Sequence, residues 1–302
     1  MKNKWIKIKK VEFSNPILTA SGTFGFGTEF KQFCNINILG GIFTKGLTLK
    51  ERPGNSGKRL FETAGGLLNS IGLENPGLKR FKDEIIPSLN SIKTNIFVNI
   101  SGETIDEFRV LVEELDSVSL IKGFEINVSC PNLKDKGRVF GRSTKTVSEL
   151  CKKLRPITSK LLIFKLSPAA ENIIDQAVIL EKHGVDALTI CNTYPGLALN
   201  KSYKPFFKKT FAGLSGPAIK PLTMRLVWLV TDAVKIPVIA SGGIMEFNDV
   251  LEYLAVGASL IQTGTVNLIE PEAASKMAKK FEQLKKKNPE FINNLIGYAK
   301  RQ

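Results

Sequence analysis

The stretch Gly123-Phe124-Glu125-Ile126-Asn127-Val128-Ser129-Cys130-Pro131-Asn132 reads as a short buried strand that ends in an amide, a hydroxyl and a thiol before proline stops it. Each polar group at such an ending needs a partner, and proline cannot donate to a ladder, so packing alone gives no reason for it. The end of this strand reads as a working surface. Comparable β-rich runs recur at 17–20, 41–45, 95–100, 161–166, 186–191, 236–240 and 259–263, which with 123–128 makes eight. Segments with helical apolar spacing lie between them, at 78–90, 105–116, 146–158, 171–183, 221–234 and 247–255, with a further one at 272–287.

Eight strands alternating with helices predict an α/β fold, a (β/α)8 TIM barrel, whose active site sits at the C-terminal ends of the strands. The residues at those ends are polar or glycine throughout: Ser21-Gly22, Lys45-Gly46, Asn99, Asn127 to Cys130, Lys165, Asn192-Thr193, Ser241-Gly242-Gly243 and Gly264-Thr265. Two segments exceed a plain βα loop. Residues 48–76, rich in Gly, Asn and Ser, are expected to cover the barrel mouth. Residues 197–217, basic and aromatic with Tyr203, Phe206, Phe207 and Phe211, read as an insertion and a candidate lid. With no linker or repeat, 1–302 is expected to form one barrel domain carrying these insertions on its C-terminal face.

Composition narrows the function classes. The chain has 302 residues, 43% of them apolar, enough for a substantial core. No run approaches the roughly 18 apolar residues of a membrane span, and the lysine-rich start has no apolar block behind it, so neither anchor nor signal peptide is expected. Cys34, Cys130, Cys151 and Cys191 show no CxxC pairing. That argues against a zinc site or iron–sulfur cluster within this chain, predicts no metal, and fits a cytoplasmic location. The formal charge of +15 is spread over scattered lysines without an aromatic-interleaved strand or recognition helix. It reads as a solvated basic surface, not a nucleic-acid interface.

The strand ends suggest a chemistry. Gly242-Gly243, Gly257-Ala258 and Gly264-Thr265 resemble the phosphate site that barrels build from their last two βα loops, against the plainer reading of turn glycines. Lys45 and Lys165 end strands in apolar surroundings; either they flank an anionic ring or carboxylate, or they snorkel to the rim. Asn99, Asn127 and Asn192, with Asn69 from the covering segment, suit a planar heterocycle of alternating C=O and N–H groups. No paired carboxylates stand at the strand ends, and the single histidine, His183, closes a helix. Cys130 is the candidate for proton transfer, helped by a flanking lysine or by Ser129; a covalent nucleophile lacks a histidine partner nearby, and a bland buried thiol is the competing reading.

Almost end to end, the sequence resembles the catalytic subunit of class 1 dihydroorotate dehydrogenases. The resemblance rests on Asn15-Pro16 with Ala20-Ser21-Gly22, Lys45-Gly46-Leu47-Thr48, Asn69-Ser70-Ile71-Gly72-Leu73, Asn127 to Asn132, Lys165-Leu166-Ser167-Pro168, Asn192-Thr193 and Gly213-Leu214-Ser215-Gly216-Pro217. It implies FMN-dependent oxidation of (S)-dihydroorotate to orotate in pyrimidine biosynthesis. Ser21, Lys45, Gly46, Asn99, Asn127, Lys165, Cys191, Gly216, Gly242, Gly243, Gly264 and Thr265 would surround the flavin. Lys45, Asn69, Ser70, Ile71, Gly72, Leu73, Asn127, Asn192 and Thr193 would hold the pyrimidine. Cys130 would take the C5 proton while hydride passes from C6 to flavin N5, and Lys165 would compensate charge on the reduced ring.

Pro131-Asn132-Leu133-Lys134, Phe140-Gly141 and 213–221 look most like subclass 1B. That subclass passes electrons to NAD+ through a separate FAD- and iron–sulfur-containing subunit, as a homodimer within a heterotetramer. A fumarate-reducing 1A enzyme and a related flavin pyrimidine dehydrogenase are the neighbouring readings. A cofactor-free lyase using Lys165 as a Schiff base and a basic nucleic-acid-binding scaffold are the readings from other classes. Lys136-Gly137-Arg138-Val139 and Cys191 depart from the family pattern, the latter standing where an aliphatic residue is expected.

Overall fold

The structure, a computed structural model, describes residues 4–129, 131–132 and 138–301. Eight parallel strands close into a barrel in chain order: β1 (Ile17–Thr19), β2 (Gly41–Phe43), β3 (Asn95–Ile100), β4 (Ile121–Asn127), β5 (Leu161–Lys165), β6 (Ala187–Ile190), β7 (Val238–Ser241) and β8 (Leu260–Thr263). Closure runs from β8 to β1, with Ile261 beside Ile17 and Thr263 beside Thr19. Each strand lies within a residue or two of its expected run. The expected start at Ile236 moves to Val238 because Pro237 has no N–H to give the ladder.

Side chains alternate along each strand, so one set fills the barrel and the other meets the helices. Outside, Ile96, Val98, Phe124, Ile126, Leu162, Phe164, Leu188 and Ile261 join the main core. The helix Ile105–Asp116 shows how that core is met: it buries Phe108, Leu111, Val112 and Leu115, an i, i+3, i+4, i+7 stripe, and Thr104 caps it by accepting from Glu107 N–H at 3.2 Å.

Inside, the lower half of the barrel is apolar. Leu18, Phe43, Phe97, Leu161, Ile163, Ala187, Ile239 and Leu260 pack with Ile8 and Phe13 of a short hairpin, Ile6–Ile8 paired with Val11–Phe13. Phe97 stacks between Phe13 and Phe43. This hairpin closes the N-terminal end of the barrel. The basic run at the start hides it: Ile8 is buried while Lys7 beside it is exposed, a period of two masked by lysines.

The two long segments meet each other. Strands Tyr194–Gly196, Ala212–Ser215, Gly66–Asn69 and Leu60–Thr63 form one antiparallel sheet in that order, with Leu214 opposite Leu68. Leu68, Ala198, Phe207 and Ala212 give it a small core of its own, with Phe61 and Phe206 packed against it. Tyr203 and Phe211 remain exposed. Among the described residues no helix is long and apolar enough to cross a membrane.

Candidate active site

Above the apolar layer the barrel interior turns polar, and Glu125 is its centre. Strand register brings this about: Asn99 pairs with Glu125, and Lys165 pairs with both Asn127 and Thr189. Glu125 is 0% exposed. One carboxylate oxygen accepts from Thr189 Oγ1 at 2.8 Å and Gln262 Nε2 at 2.8 Å; the other accepts from Asn99 Nδ2 at 2.7 Å. The Lys165 ammonium, 5% exposed, donates to Gln262 Oε1 at 3.3 Å and stands 3.9 Å from Glu125 Oε2. A buried lysine needs such company, because an uncompensated charge in the interior costs several kcal/mol.

The carboxylate also settles how Asn99 faces. A carboxylate only accepts, so the amide nitrogen must turn to Glu125 and the amide oxygen away from it. That oxygen is buried and has no hydrogen-bond partner among the described residues. Gly46 lies beside it: a Cβ there would come 3.1 Å from Asn99 Oδ1 and 3.3 Å from Leu73 Cδ2. The Ser129 hydroxyl is likewise buried and without a hydrogen-bond partner among the described residues.

From Lys165 the polar groups continue around the mouth. Asn127 Oδ1 accepts from Ser129 N–H at 3.2 Å and from Asn192 Nδ2 at 3.1 Å, and Asn192 Oδ1 accepts from Thr193 N–H at 2.8 Å. Thr193 lies against Gly213, where a Cβ would come within 2.1 Å of its hydroxyl. Asn69 Nδ2 donates to Gly213 O at 3.1 Å. Asn55 holds the lip 70–73 from outside, donating to Ser70 Oγ at 2.9 Å and, through its N–H, to Ile71 O at 2.9 Å. Lys45 stands 3.5 Å from Glu74 Oε1. Arg59, then Lys45, hold the Glu74 carboxyl below its usual range. Lys45 and Lys165 thus each have their own carboxylate.

The glycines divide by what they are needed for. Gly243 has φ +71° and a Cβ there would meet the Lys220 backbone at 2.6 Å; Gly216 has φ +99° and abuts Gly66 Cα at 2.7 Å. These two are required by the backbone itself. Gly242 lies against Thr223 Oγ1, 2.7 Å from where its Cβ would be, and Cys191 Sγ is 4.0 Å from the same hydroxyl. Gly264 is different: the nearest atoms to a Cβ there are Ala20 Cβ at 3.6 Å and Thr23 Cγ2 at 4.0 Å, ordinary van der Waals contacts, so the protein itself does not require glycine at this position. Thr265 Oγ1 donates to Ser215 Oγ at 2.8 Å, tying this loop to the antiparallel sheet. Lys220 bridges Asp249 and Glu252 across the same end of the barrel.

Over residues 5–284 the sequence matches the family described as Dihydroorotate dehydrogenase. The chain belongs to the dihydroorotate dehydrogenase family. Similar proteins include the "Dihydroorotate dehydrogenase B (NAD(+)), catalytic subunit" of Petrotoga mobilis, 47% identical over 97% of this chain and 98% of the relative. Proteins of the same name from Thermodesulfovibrio yellowstonii, at 44% identity over 98% of each chain, and Geobacter metallireducens, at 43% over 98% of this chain and 95% of the relative, are similar too. Dihydroorotate dehydrogenases are oxidoreductases, and the subclass 1B resemblance read from the motifs agrees with the names of these relatives.

Of the residues expected to serve such a dehydrogenase, the structure joins Gly46, Asn99, Lys165, Asn127, Asn192, Thr193 and Asn69 through successive contacts around one mouth. Lys45 and the lip 70–73 edge it. Cys130, the expected base, lies outside the described residues. His183 closes the helix Ile173–Lys182, with Nε2 3.0 Å from Ser148 Oγ, away from the mouth. Glu125, Thr189 and Gln262 escape the sequence reading. Their signal is polarity at every second position of buried strands: Glu125 two before Asn127, and Gln262 two before Gly264.

Proposed function

We propose that this protein oxidises (S)-dihydroorotate to orotate with bound FMN, as the catalytic subunit of a two-subunit assembly. The observation that carries the reading is that Glu125 holds both Asn99, whose buried amide oxygen has no partner among the described residues, and the buried Lys165 ammonium at one end of a barrel whose family is dihydroorotate dehydrogenase. A free acceptor and a fixed cation, asparagine amides around them and a glycine at 264 that the protein's own packing does not require fit a planar ring with N–H and C=O edges and a phosphate tail. In this reading Ser21, Gly46, Asn99, Asn127, Lys165, Cys191 and Gly216 line the ring, and Gly242, Gly243, Gly264 and Thr265 hold the phosphate. FMN, when bound, supplies at its N5 an acceptor for the hydride leaving C6 of dihydroorotate.

The chain's own residues do the rest. Asn127 and Asn192, already hydrogen-bonded to each other, present the remaining amide groups to the pyrimidine edge, with Asn69 to Leu73 and Thr193 around it. Lys45 offers its charge to the substrate carboxylate at the rim. Lys165 compensates the negative charge that builds on the ring side, where a dry surrounding strengthens its effect. The C5 proton goes to Cys130. Burial pushes the Cys191 thiol up to about 11 and the Cys151 thiol up to about 12, and raises Cys34 as well, so the other three cysteines stay protonated at neutral pH.

Electrons then pass through a second polypeptide carrying FAD and an iron–sulfur cluster to NAD+, in a heterotetramer built on a homodimer of this chain in the cytoplasm. The names of the relatives, NAD(+) enzyme and catalytic subunit, support NAD+ as acceptor and a second subunit beside this one. The test is to release the cofactor from the purified protein by heat and identify it by mass. FMN in about equal amount to protein is expected; a protein that carries no flavin and takes up none when FMN is added would contradict the reading.

A further inference from the structure

Glu125 has no part in the reaction just described, yet it is the most completely enclosed charge among the residues of the polar layer. Four strands send side chains to it: Asn99 from β3, Lys165 from β5, Thr189 from β6 and Gln262 from β8. A bare scaffold has no use for a carboxylate there, since burying an ion pair is commonly no better for stability than apolar packing of the same volume. What the carboxylate does achieve is geometric and electrostatic. It dictates that Asn99 turns its oxygen outward, and it holds an opposite charge 3.9 Å from the Lys165 ammonium. Gln262 relays the same restraint: its Nε2 donates to Glu125, which leaves its oxygen for Lys165.

We infer that Glu125 is a positioning residue that sets the orientation of Asn99 and limits the positive field Lys165 exerts on the bound cofactor, and so holds the flavin potential down. The inference rests on the flavin reading above. Its sign follows from charge alone: a negative group 3.9 Å from the lysine offsets its positive field and so would disfavour the electron-rich, reduced form of a flavin held near that lysine. Removing that charge while keeping the side-chain volume favours the reduced form.

Glu125→Gln in the purified holoprotein is the test, with the midpoint potential of the bound flavin as the readout. Reduced flavin is expected to gain about tenfold in affinity relative to oxidised flavin. For a two-electron couple this raises the potential by about 30 mV. A purely structural role weakens both redox forms alike and leaves the potential where it was, so an unshifted potential in a flavin-bearing variant overturns the inference. Should Glu125→Gln not retain flavin, Glu125→Asp draws the charge one methylene away from Lys165; a smaller rise of the same sign is expected, and no rise overturns the inference equally. Loss of the functional reading looks different, because there the wild-type protein itself carries no flavin.

Discussion

The cysteines of this chain separate by position. Cys191 and Cys151 are buried thiols whose protonation is enforced by desolvation, whereas Cys130 follows directly on the strand end that carries Asn127 and Ser129. Cys130→Ser is therefore expected to keep the flavin but slow its reduction by dihydroorotate by about 10²- to 10⁴-fold at neutral pH, the usual worth of a positioned base. Stopped-flow absorbance checks this, and unchanged reduction kinetics would remove Cys130 from the reaction. Asn127, Lys165 and Asn192 were legible in the sequence because each interrupts an apolar run at its end. Glu125 was not, because a single charge inside Gly-Phe-Glu-Ile-Asn is masked by its apolar neighbours until the alternation of a barrel strand puts it on the same face as Asn127.

Among the elements, the loops after β7 and β8 carry different kinds of glycine. Gly264→Ala meets nothing closer than 3.6 Å in the protein. It is expected to change the thermal stability of the flavin-free protein by less than about 0.5 kcal/mol while weakening FMN binding. Gly243→Ala, at φ +71° and against the Lys220 backbone, is expected to cost about 1–3 kcal/mol in the flavin-free protein as well. Equal effects of the two on the flavin-free protein would contradict this division.

The Lys220–Asp249 pair beside these loops also predicts a pH dependence. Burial opposes the Asp249 charge, but Lys220 and the N–H groups of Met245 and Glu246 outweigh it and hold its pKa below the ordinary value. Burial likewise opposes the Lys220 charge, and Asp249 and Glu252 raise its pKa nonetheless. Asp249 thus contributes stability above an unfolded pKa of about 3.9 that is lost as pH falls through its depressed folded value; Lys220 contributes below about 10.4 and loses it as pH rises. Melting temperature against pH should fall more steeply in acid for wild type than for Asp249→Asn. Parallel acid limbs would count against the pair.

Across the chain, eight β-rich runs separated by helical spacing made the barrel readable, since each run had both its length and its polar ending in view. The hairpin under the barrel and the sheet above it were less readable for a physical reason. Their strands are short, and the pairing of Gly66–Asn69 with Ala212–Ser215 joins segments more than a hundred residues apart in sequence, which no local pattern reports. That sheet bears on the proposed function because it brings Thr193, Gly213 and Asn69 together beside the barrel mouth. In the proposed function the polar barrel end oxidises dihydroorotate by hydride transfer to a bound flavin. Anaerobic mixing of the purified protein with (S)-dihydroorotate, followed by visible absorbance, is the decisive measurement: the flavin bands are predicted to bleach with formation of orotate, and a flavin that stays oxidised in the presence of saturating dihydroorotate would rule that function out.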